Sequence, residues 1–120
     1  ICYNFYMKEL FLKYNIFINE EQLEKFEKYY NLLVLYNEKF NITAITEKNE
    51  VYIKPFIDSV LASPFYNVQN FIDVGSGGGF PAIPILIMNE NIKGTCLEAT
   101  GKKCEFLNVV IKELGLKNVS

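Results

Sequence analysis

The residues with the clearest chemical potential lie in one stretch, FIDVGSGGGFPAIP, which runs from Phe71 to Pro84. A short apolar run contains Asp73 and is followed by glycines at positions 75, 77, 78 and 79. Glycines let a backbone turn sharply and approach a bound molecule without interference from a β-carbon. A helix that begins after such a loop presents unpaired N–H groups to polar or anionic atoms. The stretch therefore predicts a small-molecule site at the end of a strand.

The order of the glycines separates the possible ligands. A dinucleotide-binding loop has the pattern GxGxxG, but Phe80 stands where its third glycine would be. Asp73, two residues before the first glycine, would repel a pyrophosphate and suits a ligand that carries an amine and a sulfonium. No Walker-type lysine motif follows the glycines, which argues against a phosphate-binding P-loop. A tight strand-to-helix turn with no ligand would explain the glycines but not the acidic residues around them.

Glu98 is the second acidic residue of this pattern, and it closes the predicted strand GTCLE. A carboxylate at this point can accept hydrogen bonds from both hydroxyls of a ribose. It follows the glycine loop by close to the roughly 20 residues of one strand–helix–strand step. A dehydrogenase also needs an acid here, so Glu98 alone does not distinguish the two classes. Together with DxGxGxG, it resembles the pattern of S-adenosylmethionine (SAM) methyltransferases.

The segments around the loop predict an α/β fold. Strands are expected over 71–74 and 94–97, and helices over 80–89 and 102–114, the last one ended by Gly115. Strands that alternate with helices predict a parallel sheet with right-handed crossovers. This is the first β-α-β-α half of a Rossmann-like sheet, and we assign it to a domain over residues 67–120.

Residues 1–66 are predicted to form a helical N-terminal extension, with helices over 7–14, 20–40 and 47–63. Asn19 and Gln22 have the spacing of a capping box before the second helix. The aromatic residues of that helix share one stripe, which favours a role in the core over base stacking. Pro55 lies within the third helix and is expected to split or kink it.

Composition excludes several kinds of chemistry. The 120 residues carry a formal charge of −2 and contain no histidine, so Ser-His-Asp and Cys-His catalysis within this chain are excluded. Cys2, Cys96 and Cys104 form no CxxC pair, and we interpret them as small apolar residues, with no metal site. The apolar runs are shorter than a membrane span and no signal-peptide pattern is present, so the cytoplasm is the expected location.

Longer segments narrow the resemblance to one family. FNITAIT, FIDSV, FIDVGSGGGFPAIP, LEATGKKCEFL and KELGLKNV are similar to the bacterial small-subunit rRNA guanine-N7 methyltransferases, also called glucose-inhibited division protein B. The resemblance runs from about residue 7 to residue 120. It implies SAM as the cofactor and 16S rRNA in the small ribosomal subunit as the partner, with methylation at N7 of guanine 527. Because N7 has a free lone pair, no general base is needed, and we assign no catalytic residue.

The resemblance also implies a set of site residues. Those expected to bind the cofactor are Asp73, Gly75, Gly77, Gly79, Phe80, Glu98, Ala99 and Thr100. Among them, Phe80 is expected beside the adenosine and Glu98 at the ribose. Weak candidates for RNA phosphate contacts are Lys54, Lys102 and Lys103.

The chain departs from the family pattern in three respects. Lys54-Pro55 stands where the family usually has Arg-His, and Ala82 stands where it usually has a glycine. A new strand is predicted to begin in the last residues, so the chain resembles a truncated member. We expect such a piece to be inactive alone and either to self-associate or to be only marginally stable, whereas a full-length member is expected to be a monomer. A non-catalytic remnant or interaction module and an NAD-binding or nucleotide-sugar-binding fold remain as alternatives.

Overall fold

The computed structural model describes residues 2–40, 49–62, 70–75 and 77–119, with the side chains of 2–6, 40, 49–54 and 62 left out of the description. In chain order its elements are α1 (Cys2–Lys13), α2 (Glu20–Phe40), α3 (Asn49–Ala62), β1 (Asn70–Val74), α4 (Ala82–Met88), β2 (Lys93–Leu97) and α5 (Gly101–Leu114). The fold is therefore mixed α/β, with helices followed by part of a Rossmann-like unit, as the sequence predicts.

The predicted capping box before α2 is confirmed. The side chain of Asn19 accepts a hydrogen bond from the N–H of Gln22 at 2.7 Å, and the side chain of Gln22 accepts one from the N–H of Asn19 at 3.0 Å. These two bonds satisfy donors that a helix start leaves without intrahelical partners. As a result, α2 has the bounds that the sequence predicts, whereas α1 begins earlier than expected, at Cys2.

Pro55 does not split α3, which continues as one helix on both sides of it. A proline inside a helix removes one backbone hydrogen bond and costs about 3 kcal/mol. Here the turn after the proline buries Phe56, Ile57 and Val60 in the core, which offsets that cost. The predicted ends of this helix, at residues 47 and 63, lie outside the described residues.

One apolar core joins the N-terminal helices to the helices around the sheet. Phe26 and Leu33 of α2 lie in the same buried cluster as Ile83 of α4 and Phe106 of α5. Phe56 of α3 belongs to it as well. The division into domains over 1–66 and 67–120 remains a prediction, but the two ranges share this core. The N-terminal helices are therefore in a position to support the loop that follows β1.

The described sheet consists of β1 and β2, which pair in parallel from Asn70 opposite Lys93 to Val74 opposite Leu97. Their crossover contains α4, and Phe71 packs with Ala82, Ile85 and Leu86 of this region. Val119 forms a parallel bridge to Gly94, which agrees with the new strand predicted at the end of the sequence. In a parallel sheet the carboxyl ends of the strands lie at the same end of the sheet, so the residues that follow β1 and β2 lie together.

The face of the sheet that lies away from α4 is apolar and exposed. Ile72 is 63% exposed and Val74 77% exposed, whereas the neighbouring Phe71 is buried under α4. Successive side chains of a strand point to opposite faces, so Ile72, Val74 and Leu97 share the face away from α4.

None of the described helices has both the length and the apolar character that crossing a bilayer requires.

Candidate functional site

The glycine loop after β1 depends on backbone conformations that favour glycine. Gly75, Gly77 and Gly79 have φ angles of +70°, +55° and +95°, which other residues rarely adopt. The N–H of Gly75 donates to the carbonyl of Leu97 at 2.7 Å, so the loop leaves the sheet directly after this bond. The predicted role of the glycines in making a sharp turn at the end of the strand is confirmed.

Two of these glycines border open space. Among the described residues, a β-carbon on Gly75 would meet no atom within 4 Å, and one on Gly77 would meet only the carbonyl oxygen of Gly75, at 3.8 Å. Side chains at either position would therefore project into the space beside the loop. We call Gly75 and Gly77, together with the open space beside them, the cradle.

Gly79 faces the protein interior instead. A β-carbon there would lie 2.7 Å from Cγ1 of Ile83 and 2.8 Å from the hydroxyl oxygen of Tyr29. The absence of a side chain at Gly79 thus permits close packing of the loop against α4 and α2. Its predicted contact with the cofactor stays a prediction.

Glu98 connects the cradle to the start of α5. One carboxylate oxygen accepts a hydrogen bond from the N–H of Gly77 at 2.8 Å, and the other accepts one from the N–H of Thr100 at 2.9 Å. The bonds from Thr100 and then Gly77 lower the pKa of Glu98 below its ordinary value of 4.5, and the charge of Lys103 contributes in the same direction. Glu98 is therefore ionised at neutral pH.

These two bonds give Glu98 a role that the sequence does not indicate, since they attach the glycine loop to the end of β2. A carboxylate oxygen can accept more than one hydrogen bond. The predicted contact with ribose hydroxyls is thus compatible with the observed bonds, and it stays a prediction.

Asp73 lies in β1 directly before the loop and is partly buried. Its Oδ2 atom is buried and accepts no hydrogen bond from the residues that the structure describes, although Asp73 as a whole interacts with its neighbours. Its negative charge contributes to raising the pKa of Tyr29. The carboxylate that the sequence places next to the glycines is therefore at the base of the loop, next to the interior.

Phe80 packs towards the N-terminal helices. Its ring centroid lies 5.7 Å from that of Tyr29 and 5.8 Å from that of Phe56. This contact gives the ring a structural role in attaching the loop to α2 and α3. The expected position of Phe80 beside an adenosine is a separate prediction that stays open.

The remaining predicted residues lie around the start of α5. Ala99 and Thr100 are exposed after β2, and the backbone N–H of Thr100 binds Glu98. Lys103 is close enough to Glu98 to affect its pKa, while Lys102 is exposed at the beginning of the helix. The structure thus brings Asp73, the glycine loop and residues 98–103 together at the carboxyl ends of the two strands. The side chain of Lys54 lies outside the described residues.

Sequence reasoning missed Tyr29, because the apolar stripe recognised in α2 consists of Leu23, Phe26, Tyr30, Leu33 and Phe40. The side chain of Tyr29 is fully buried, and its hydroxyl donates a hydrogen bond to the carbonyl of Gly78 at 2.5 Å. The spacing of apolar residues carries no information about this bond. Tyr29 and Gly78 are 49 positions apart in the chain.

The described residues around the glycine loop combine open space with a negative charge. The cradle offers open space, and ionised Glu98 offers carboxylate oxygens beside it. Among the described residues, no group of three or more His, Cys, Asp or Glu side chains is arranged to hold a metal ion.

Comparison with known proteins identifies one family. The profile of the GidB family, described as rRNA small subunit methyltransferase G, matches residues 22–120. A protein of Clostridium botulinum (strain Eklund 17B / Type B) named ribosomal RNA small subunit methyltransferase G is 52% identical over 105 residues, which are 85% of this chain and 44% of that protein.

Two further relatives carry the same name. The protein of Exiguobacterium sibiricum is 44% identical over 86% of this chain and 44% of its own length. The protein of Carboxydothermus hydrogenoformans is 40% identical over 95% of this chain and 49% of its own length. The chain therefore spans about half the length of these curated relatives. On the family match and these identities, the chain belongs to the GidB family of rRNA small subunit methyltransferases G.

Proposed function

We propose that this chain carries the SAM-binding part of an enzyme that methylates guanine N7 in small-subunit rRNA. The observation that carries the proposal is the cradle at Gly75 and Gly77, beside ionised Glu98, at the carboxyl ends of two parallel strands. Ligands of open α/β sheets bind at the carboxyl ends of the strands. Membership in the methyltransferase family supports SAM over NAD, as does Phe80 at the third glycine position of the dinucleotide pattern.

Each predicted residue at the carboxyl ends of the strands has a role in the proposed site. The backbone at Gly75 and Gly77 would approach the ligand closely, and Glu98 would accept the hydroxyls of its ribose. Ala99 and Thr100 would border the adenine, while the carboxylate of Asp73 would attract the cationic methionine portion. When bound, SAM supplies an activated methyl group on its sulfonium.

The proposed reaction requires little acid–base chemistry from the protein. Guanine N7 has a lone pair available for attack, so no proton has to be removed first. The protein would act by holding the cofactor and the base in line and by stabilising charge. The lack of histidine in the sequence is compatible with this mechanism.

We further propose 16S rRNA in the small ribosomal subunit as the partner and guanine 527 as the target base. The relatives' name refers to small-subunit rRNA, and rRNA is a cytoplasmic substrate in bacteria. Lys103 beside Glu98, together with Lys102 and Lys54, would contact phosphates. A base in an exposed loop is the expected target, since sequence-specific RNA recognition usually requires unstacked bases.

A calorimetric titration of the chain with SAM, with NADH as the comparison ligand, tests the cofactor assignment. The informative variant is Gly75→Asn, because asparagine tolerates a positive φ better than most residues and its side chain would fill the cradle. Gly115→Asn is the matched control, since Gly115 has a φ of +65° and also borders open space, but it ends α5.

We expect SAM to bind the unmodified chain and Gly115→Asn, and to bind Gly75→Asn at least about tenfold more weakly, since a filled cradle excludes the ligand. Binding of NADH in place of SAM would contradict the methyltransferase proposal. Failure of the folded chain to bind SAM would contradict the proposal that these residues carry a cofactor site by themselves.

A further inference from the structure

The hydrogen bond from Tyr29 to Gly78 links the N-terminal helices to the glycine loop. Tyr29 belongs to α2, in the region that the sequence predicts to be a separate helical extension. Its hydroxyl lies 2.5 Å from the carbonyl oxygen of Gly78, and both residues are buried. A buried carbonyl needs a hydrogen-bond donor, so this contact is more demanding than one at the surface.

The surroundings of Tyr29 keep its hydroxyl protonated. Burial raises the pKa of Tyr29 well above its ordinary value of 10.0, and the nearby Cys96 and Asp73 raise it further. A protonated hydroxyl is the form that can donate to a carbonyl. The hydroxyl of Tyr29 therefore remains a donor at neutral pH.

The ring of Tyr29 is packed between other aromatic rings. It stacks on Phe56 of α3 with centroids 5.1 Å apart and an interplanar angle of 16°, and Phe80 of the loop packs against both rings. Gly79 passes so close to Tyr29 that no side chain fits between them. The loop is thus attached on two sides, to Glu98 at Gly77 and to Tyr29 at Gly78.

The bond also determines the orientation of the peptide group between Gly78 and Gly79. In a trans peptide the carbonyl and the N–H point in opposite directions, and the cis bond of this loop lies between Phe80 and Pro81. Because Tyr29 holds the carbonyl of Gly78 towards the interior, the N–H of Gly79 points away from Tyr29. One interior contact therefore orients a backbone donor of the loop.

We propose that Tyr29 is a positioning residue of the cofactor site, which sets the conformation of residues 77–79 through its hydroxyl without contacting the ligand. The identity of the ligand rests on the proposed function, whereas the attachment of the loop does not. The N-terminal helices would then contribute directly to cofactor binding.

Tyr29→Phe tests this proposal, because it removes the hydroxyl and keeps the ring. Tyr36→Phe is the matched control, since Tyr36 lies on the same helix and packs against Phe106 of α5. Amide hydrogen exchange over residues 77–83 reports the attachment of the loop, and exchange in α2 and α5 reports general stability. A titration with SAM reports the effect on the site.

We expect exchange in the loop to become about tenfold faster in Tyr29→Phe, because a buried carbonyl loses its donor. Exchange in α2 and α5 should remain within about twofold, and Tyr36→Phe should leave the loop unchanged. SAM affinity should fall in Tyr29→Phe and not in the control. Unchanged exchange in the loop, an equal acceleration everywhere, or unchanged SAM affinity despite a loosened loop would each overturn the proposal.

The unmodified chain provides a second measurement in case Tyr29→Phe does not fold. A slowly exchanging hydroxyl proton of Tyr29, with a nuclear Overhauser contact to an α-proton of Gly79, is expected in the NMR spectrum, because Gly79 packs closely against this hydroxyl. Its absence from a folded sample would overturn the proposal. If the unmodified chain binds no SAM, this counts against the proposed function, and the exchange and NMR data still decide whether Tyr29 positions the loop.

Discussion

A β-carbon on Gly79 would lie 2.8 Å from the hydroxyl oxygen of Tyr29, closer than a carbon atom and a packed oxygen normally approach. The loop is therefore held against α2 at a distance that only glycine permits. This relationship joins the N-terminal helices and the predicted cofactor site into one packed unit. It also distinguishes Gly79 from Gly75 and Gly77, which border open space.

Gly79→Ala should consequently destabilise the protein. The new methyl group would collide with Tyr29 and Ile83, and alanine is unfavourable at a φ of +95°. We expect a loss of about 2–3 kcal/mol in the free energy of unfolding, measured by urea denaturation. Gly101→Ala is the control, because nothing lies within 4 Å of its β-carbon position, and it should change stability by less than about 1 kcal/mol. Equal effects of the two substitutions would contradict the packing role of Gly79.

Protonation of Glu98 should release the cradle at acidic pH. Its pKa is lowered in the folded state, so its contribution to stability is present above the ordinary value of 4.5 and is lost as the pH falls through the lower, folded value. We expect the amide signal of Gly77 to titrate with a midpoint below 4.5 in an NMR pH series. In Glu98→Gln this titration should disappear. A midpoint at or above 4.5 in the unmodified chain would argue against the two bonds to the carboxylate.

Asn118 should stabilise the turn between α4 and β2. Its side-chain nitrogen lies 3.0–3.1 Å from the carbonyl oxygens of Leu86, Asn89 and Ile92. Asn118→Asp keeps the size of the side chain but replaces the donor by a carboxylate facing three carbonyls. We expect it to lower the free energy of unfolding by about 2–3 kcal/mol.

Asn108→Asp is the charge-matched control for that substitution, because Asn108 is exposed on α5. It should change the free energy of unfolding by less than about 0.5 kcal/mol. A similar effect of both substitutions in thermal or urea denaturation would show that added charge, and not the lost donor, is responsible.

The exposed face and edge of β1 should cause the 120-residue chain to self-associate. Because the N–H of Gly75 points towards β2, alternation directs the N–H groups of Ile72 and Val74 to the opposite edge. No described residue pairs with that edge. A second copy could pair there antiparallel around Ile72, which would join the two apolar faces and cover unpaired backbone groups.

Sedimentation velocity measures this self-association. We expect dimers or larger species for the unmodified chain and mainly monomer for the double variant Ile72→Thr, Val74→Thr, which keeps β-branched residues in the strand. Phe17→Ser is the control, since Phe17 is also highly exposed but lies between α1 and α2. A monodisperse monomer of the unmodified chain at micromolar concentration would refute the prediction.

The chain by itself should transfer no methyl group to rRNA at a measurable rate. It spans 44–49% of the length of its relatives, and the described site has few basic residues for a polyanionic partner. The measurement is incorporation of labelled methyl from SAM into isolated small ribosomal subunits, with a full-length relative as the positive control. Multiple turnovers by the 120-residue chain would show that it is complete as an enzyme.

The sequence by itself determined the elements whose boundaries depend on neighbouring residues. Asn19 and Gln22 cap α2, Gly115 ends α5 in a left-handed conformation, and the glycines turn the chain after β1. The parallel pairing of β1 and β2 followed from the alternation of strands and helices. The caps and turns are predictable because each uses chemical groups within a few residues of itself, and the pairing is predictable because a strand–helix–strand unit returns the chain in the same direction.

The tertiary structure alone decided what holds the glycine loop in place. The bond from Tyr29 to Gly78 spans 49 positions, and the bond from Gly77 to Glu98 spans 21. It also decided that Pro55 lies inside a continuous helix, because the core residues that follow it compensate for the lost backbone bond. A hydrogen bond between distant residues leaves no periodic signal in the sequence, since it depends on how whole helices pack and not on local spacing.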